Sequence, residues 1–316
     1  MWTTCRISSQ LSTIQSLRSQ YLKKQCRWFS AKSTFLNPRT SPSPTTHLHR
    51  TTTARQSFTS QNRYFASPFS AFSNPKMDSQ VNGANPARRL VFFFDIDNCL
   101  YPKSARVHDL MADLIDKYFA EHLSLPWEDA VRLHKEYYQN YGLAIEGLVR
   151  HHQIDPLEYN AKVDDALPLD DIIKPRPELK RLLADIDKSK VKLWLFTNAY
   201  VNHAKRVVRL LEVKEYFEGV TYCDYSAPRL ICKPHLESFQ KAMKDAGVEK
   251  FEDCFFVDDS YQNCKKAQEI GWKVAHLVEE GVKSPRTAAC AHQISHLEEL
   301  RKAFPQVFKS EQALSE

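Results

Sequence analysis

Hydrophobic and polar positions along this chain keep two rhythms in turn. Residues 90–94 are five consecutive apolar side chains bounded by polar ones, which predicts a strand buried on both faces, as in a parallel sheet. From Ser104 to about Lys174 the spacing becomes three and four. Val107, Leu110, Met111, Leu114, Ile115, Tyr118 and Phe119 mark one face of a helix, and residues 127–141, 143–151 and 157–165 continue the pattern. A crossover between parallel strands needs only about a dozen residues. About seventy residues of helix here therefore predict an inserted lobe, read as a cap over the strand end rather than a bundle on the sheet's flank. Strand and helix then alternate. Helices over 177–187, 201–211, 235–246 and 262–270 separate strands over 191–196, 219–222, 254–257 and 272–277, and a last helix broken at Pro305 spans 295–308. This alternation predicts an α/β fold built on a doubly wound parallel sheet. The expected division is a core of residues 86–102 and 175–316, a helical cap of 103–174 and an N-terminal extension of 1–85.

Charge changes the picture of the extension. Residues 1–76 hold eleven Lys or Arg and no Asp or Glu, leaving 33 basic against 38 acidic residues in the rest, a balance of −5. The net +6 thus belongs to the extension, and nothing in the rest suggests a nucleic-acid surface. Rich in Ser, Thr, Gln and Arg, the extension lacks the apolar residues to fold alone. Its first thirty or so residues are amphipathic, basic and free of acids, like a mitochondrial transit peptide. Met77 offers a second place for a complete protein to begin. The expected compartment is the mitochondrion in the first case and the cytoplasm or nucleus in the second. No apolar run approaches the roughly eighteen residues of a membrane span, so no membrane partner is expected.

The candidate chemistry lies where apolar runs give way to loops. The first strand ends in Asp95 and Asp97, the second in Thr197 and Asn198, and the strand of 254–257 in Asp258 and Asp259. A parallel sheet brings such ends to one rim. Four carboxylates gathered there repel one another unless some keep protons or a cation neutralises them. All the ligands are oxygens, so the cation should be hard, and Mg²⁺ is the natural one. Together with Lys233, this is equipment for a phosphoryl group: the cation and the ammonium offset its charge while Thr197 and backbone N–H groups hydrogen-bond its oxygens.

The ordered set DIDNC at Asp95, Thr197, Lys233-Pro234 and DDSYQN at Asp258 resembles the four motifs of the haloacid dehalogenase (HAD) superfamily, with its Rossmann-like core. The strings FFFDIDNCLYP and YYQNYGLAIEGLVRHH resemble its pyrimidine 5′-nucleotidase subgroup. The resemblance covers about residues 90–305. It implies that Asp95 attacks phosphorus to form an aspartyl-phosphate. Asp97 would act as acid and then base. Thr197 and Asn198 would hold the phosphoryl oxygens, and Lys233 would stabilise their charge and that of Asp95. The metal would be held by the Asp95 side chain, the Asp97 backbone carbonyl and the last acidic pair, Asp259 directly and Asp258 through water. Asn263 stands where the family often has an acid, and Cys99 where it usually has Thr or Val; Cys99 is expected to be a structural swap.

The implied activity is removal of phosphate from UMP or CMP. Two alternatives stand beside it: another small phosphomonoester, such as nicotinamide mononucleotide or a sugar phosphate, and a catalytically silent HAD-fold binding or regulatory protein. The basic cluster Arg150, His151 and His152 reads first as a solvated helix face. The eight cysteines show no C-x-x-C pair and no histidine at zinc spacing, and are expected to be reduced intracellular thiols.

Overall fold

The computed structural model describes residues 89–310. The presequence reading and the Met77 start lie outside the described residues. Among the described residues, no helix is long and apolar enough to cross a membrane.

Six parallel strands form one sheet in the order β3-β2-β1-β4-β5-β6. They are β1 Leu90–Phe94, β2 Val191–Phe196, β3 Gly219–Thr221, β4 Cys254–Asp258, β5 Lys273–Leu277 and β6 His292–Ile294. β1 lies in the middle because it can be covered on both sides. Side chains alternate along a strand, so Phe92 and Phe94 join one buried apolar cluster, while Val91 and Phe93 join another on the opposite face. Phe93 stacks on Trp272 at 4.7 Å, and Phe92 meets Phe304 edge-on. The strand order reverses direction between β1 and β4, and in such sheets ligands bind outside the carboxyl ends at that reversal.

The helices between β1 and β2 are α1 Val107–Leu123, α2 Trp127–Tyr141, α3 Ala144–His151, α4 Pro156–Lys162, α5 Leu169–Ile172 and α6 Pro177–Ala184. Phe119, Tyr137, Ile145 and Leu148 share a third apolar cluster with Cys223, Leu230 and Cys232 from the connection after β3. The inserted helices thus pack on that connection as well as on each other. Gly142 ends α2 with φ +79°, a left-handed conformation glycine adopts without strain. A Cβ there would stand 2.5 Å from Pro234 Cδ and 2.7 Å from the Lys233 carbonyl oxygen, so the α2–α3 turn can lie on this loop only as glycine.

The later helices are α7 Val201–Leu210, α8 Leu236–Ala246, α9 Tyr261–Glu269 and α10 Leu300–Ala303. Two features depart from expectation. β6 was not foreseen, because three residues with one buried side chain carry too little pattern. The expected helix over 295–308 is instead α10 between two single 3₁₀ turns, because Phe304, Val307 and Phe308 must all reach the core and Phe308 bridges to Ile186.

Replacing Phe93 by Ala should remove a fully buried ring from the centre of the sheet. We expect a stability loss of about 3–5 kcal/mol in a denaturant titration; a loss under about 1 kcal/mol would show that the two-sided burial of β1 is not what holds the sheet.

Candidate active site

The pairing of β1 with β4 sets the site. Phe94 pairs with Val257, and the Asp95 N–H donates to the Val257 carbonyl at 3.0 Å, so Asp95 and Asp258 come off adjacent strands side by side. One carboxylate oxygen from each of Asp95, Asp258 and Asp259 lies within 4.8 Å of the others.

Lys233 enters this cluster from the connection between β3 and α8. Its ammonium donates to Asp95 Oδ1 at 2.7 Å, Asp258 Oδ2 at 2.6 Å and the Phe196 carbonyl at 2.7 Å, which uses all three of its donors. The Lys233 side chain is only 1% exposed. Its backbone is held equally firmly: the Lys233 N–H donates to Asn198 Oδ1 at 2.7 Å, and Asn198 Nδ2 donates to the Lys233 carbonyl at 2.9 Å. The Asn198 amide is therefore held to the Lys233 backbone through both its oxygen and one of its two N–H donors. Thr197 Oγ1 accepts from the Ala199 N–H at 3.0 Å, which leaves the hydroxyl hydrogen to donate elsewhere.

The two residues of the acidic pair differ. Asp258 is fully buried, with Oδ1 accepting from the Ser260 N–H and the Asn263 amide, and Oδ2 from the Asn263 amide and Lys233. Asp259 is partly exposed and pairs with Lys103 at 3.0 Å. Asp259 is thus the freer ligand, and Asn263 serves by fixing Asp258.

Asp97 faces a different set of partners. Its Oδ1 accepts from the Tyr101 hydroxyl at 2.6 Å and lies 2.7 Å from His203 Nε2. Burial would raise the Asp97 carboxyl, but the His203 charge and the hydrogen bonds from His203 and Tyr101 overcome it and hold Asp97 below its ordinary value. Burial alone would lower His203, yet Asp97 pushes it up to about 9. Tyr101, Lys103 and His203 were not singled out from the sequence. Tyr101 sits four residues after Asp97, within reach of a one-turn motif; His203 comes from α7, and only the fold brings it here.

Burial, only partly opposed by Lys233, pushes Asp95 well above the usual carboxylate range, with Asp258, Asp259 and Asp97 adding to the rise. Burial and Asp258 push Asp259 up to about 6. Burial is the first cause of both shifts, and neighbouring carboxylates add to it. The oxygen-only donor set suits a hard divalent cation. Cys99, in contrast, is 2% exposed and its thiol packs in the core with a 3.9 Å contact to the Val257 carbonyl, as a structural swap requires. Arg150, His151 and His152 turn to Glu146, Tyr141 and Tyr137, all within the inserted helices.

Residues 90–271, more than half of the chain, match the haloacid dehalogenase-like hydrolase family. The chain belongs to the haloacid dehalogenase-like hydrolases. Among curated relatives of this hydrolase, phosphate metabolism protein 8 of Saccharomyces cerevisiae is 43% identical over 205 residues, covering 62% of this chain. The match spans 64% of the yeast protein, just under two thirds of its length. Glyceraldehyde 3-phosphate phosphatase of Methanocaldococcus jannaschii is 23% identical over 193 residues, 56% of this chain and 80% of that one. Among solved structures, CbbY of Rhodobacter sphaeroides in complex with xylulose-1,5-bisphosphate shares the hydrolase fold with TM-score 0.50 and 16% identity, over 67% of this chain and 96% of that one.

The raised Asp259 value has a signed consequence. Between 3.8 and about 6 the folded protein holds a proton there that the unfolded chain releases, so metal-free stability falls as pH rises through that window. A cation replaces that proton. Magnesium chloride should therefore raise the melting temperature strongly at about pH 8 and little at about pH 5; an equal rise at both would contradict a cation held by this carboxylate.

Proposed function

We propose that this hydrolase is a Mg²⁺-dependent phosphatase that removes phosphate from pyrimidine nucleoside 5′-monophosphates, UMP or CMP, by way of an aspartyl-phosphate. The observation that carries the chemistry is the cluster of Asp95, Asp258 and Asp259 carboxylates, two of which, Asp95 and Asp258, meet the buried Lys233 ammonium.

In this reading Lys233 takes one Asp95 oxygen, and the other attacks phosphorus as the bond to the nucleoside oxygen breaks. The Thr197 hydroxyl and the Asn198 backbone N–H receive the phosphoryl oxygens, and the Lys233 charge stabilises them from beside Asp95. Asp95, Asp258, Asp259 and the Asp97 carbonyl would hold Mg²⁺, which supplies further neutralisation of phosphoryl charge. Asp97 passes a proton to the leaving oxygen. At neutral pH the Asp97–His203 pair holds one proton, and a phosphate dianion arriving beside Asp97 draws that proton to the Asp97 side. Asp97 then takes a proton from water, the water oxygen attacks phosphorus, and the bond to Asp95 breaks to release inorganic phosphate.

Residues 103–174 act as the cap on a core of 86–102 and 175–316. The support is contact: the Gly142 turn lies on Lys233-Pro234, and the Tyr138 hydroxyl of α2 reaches Ser260 beside the acidic pair. A cap so placed can exclude bulk water and select what the phosphate is attached to. The pyrimidine choice rests on the strings FFFDIDNCLYP and YYQNYGLAIEGLVRHH. A second reading, another small phosphomonoester such as a sugar phosphate, is favoured by the M. jannaschii relative named for glyceraldehyde 3-phosphate.

Phosphate release from a panel of nucleoside monophosphates and sugar phosphates, with and without Mg²⁺, separates these readings. UMP or CMP should lead the panel, activity should vanish with chelator, and Asp95→Asn should lower it by at least about three orders of magnitude. Preference for a sugar phosphate would overturn the pyrimidine assignment, and an active Asp95→Asn variant would overturn the mechanism.

A further inference from the structure

A second group of metal-ligating side chains lies on the far side of Lys233-Pro234, and the phosphatase chemistry makes no use of it. Glu146 comes from α3, Cys223 follows β3, and Cys232 and His235 flank Lys233-Pro234 in sequence. One ligand atom each from Glu146, Cys232 and His235 lies within 4.8 Å of the others. Cys232 Sγ is 2.9 Å from Glu146 Oε2, and His235 Nε2 is 3.2 Å from the same oxygen. Cys223 shares a buried apolar cluster with Cys232. Glu146, Cys223 and Cys232 are buried, while the His235 side chain is 36% exposed and leaves a way in.

We infer that Glu146, Cys232 and His235 form a second metal site, for a borderline-soft divalent cation of the zinc type. A thiolate, an imidazole and one carboxylate oxygen make a three-ligand set of the kind that binds zinc with the fourth position left to water, and oxygen-seeking cations such as Mg²⁺ are poorly served by it. At tetrahedral zinc distances, neighbouring ligand atoms stand about 3.3–3.8 Å apart. The 2.9 and 3.2 Å separations reach that range with small outward shifts. Charge closes as well. The thiolate and the carboxylate carry two negative charges against the cation's two positive ones, while the Arg150 guanidinium takes the other carboxylate oxygen, Glu146 Oε1. Arg150 also fixes the carboxylate so that Oε2 faces the sulfur and the imidazole.

Without a metal, Glu146 Oε2 has the Cys232 thiol, a weak donor, and the His235 imidazole as its partners, and the titration below decides between that cluster and a bound cation. A cation bound by all three residues would join α3 to the loop that carries Lys233. That role is independent of which phosphate ester the protein hydrolyses.

Cobalt(II) titration of the chelator-stripped, reduced full-length protein tests this. One equivalent should produce a near-ultraviolet thiolate-to-cobalt charge-transfer band with tetrahedral visible bands, which zinc displaces and excess Mg²⁺ does not. Cys232→Ser should abolish the charge-transfer band, and His235→Gln should lower affinity at least about tenfold. Asp259→Asn, at the other cluster, should leave the band unchanged. Absence of a thiolate band in the folded, reduced wild-type protein would overturn the inference. So would a band that Mg²⁺ or Asp259→Asn abolishes.

Discussion

One buried ammonium organises the centre of this protein. An isolated charge in the interior costs several kcal/mol, and a buried ion pair persists only where geometry and additional hydrogen bonds offset the lost hydration. Lys233 meets that requirement with two carboxylates and a carbonyl, one acceptor for each donor, and with the faces of Phe196 and Phe256 at 4.9 and 5.4 Å. Much of the local architecture follows from the need to hold it there. β1 and β4 must end level, so that Asp95 and Asp258 meet; β2 must end at Phe196, so that its carbonyl is the third acceptor; Asn198 must grip the Lys233 backbone from both sides. The same arrangement brings a third carboxylate, Asp259, to the rim, and in the proposed function that is where a cation would sit.

The inserted helices are tied to this centre through the same loop. Gly142 lies against Lys233-Pro234 on one side, and Glu146 reaches Cys232 and His235 on the other. Tyr138 approaches the acidic pair through Ser260. A change in how these helices sit is therefore felt at the residues flanking Lys233, giving a physical route from the identity of a substrate's leaving group to the phosphoryl site.

Much of this was legible in the sequence, for identifiable reasons. A strand buried on both faces is a run of apolar letters, so β1, β2 and β4 could be read directly, and with them the rim where Asp95, Thr197 and Asp258 gather. The pattern of three and four likewise marked α2 to the residue. What escaped depends on the third dimension. β6 is too short to show a period, and the terminal segment trades helix for the burial of Phe304, Val307 and Phe308. His203 sits on the buried face of α7, where a histidine reads as one more core residue until β1 and α7 are set side by side. Lys103 and Tyr101 follow the motif closely, yet only the turn after β1 shows that one reaches Asp259 and the other Asp97. The cluster around Glu146 is scattered along the chain, and Cys232 was read only as one of eight reduced thiols.

The central claim is that Asp95 itself receives the phosphoryl group. The direct measurement is to quench turnover with acid, reduce the protein with borohydride, which converts an acyl phosphate of aspartate to homoserine, and locate the product by peptide mass spectrometry. The account predicts homoserine at position 95, formed only with substrate and Mg²⁺ present. Turnover that leaves residue 95 as aspartate, or places homoserine at another position, would contradict it.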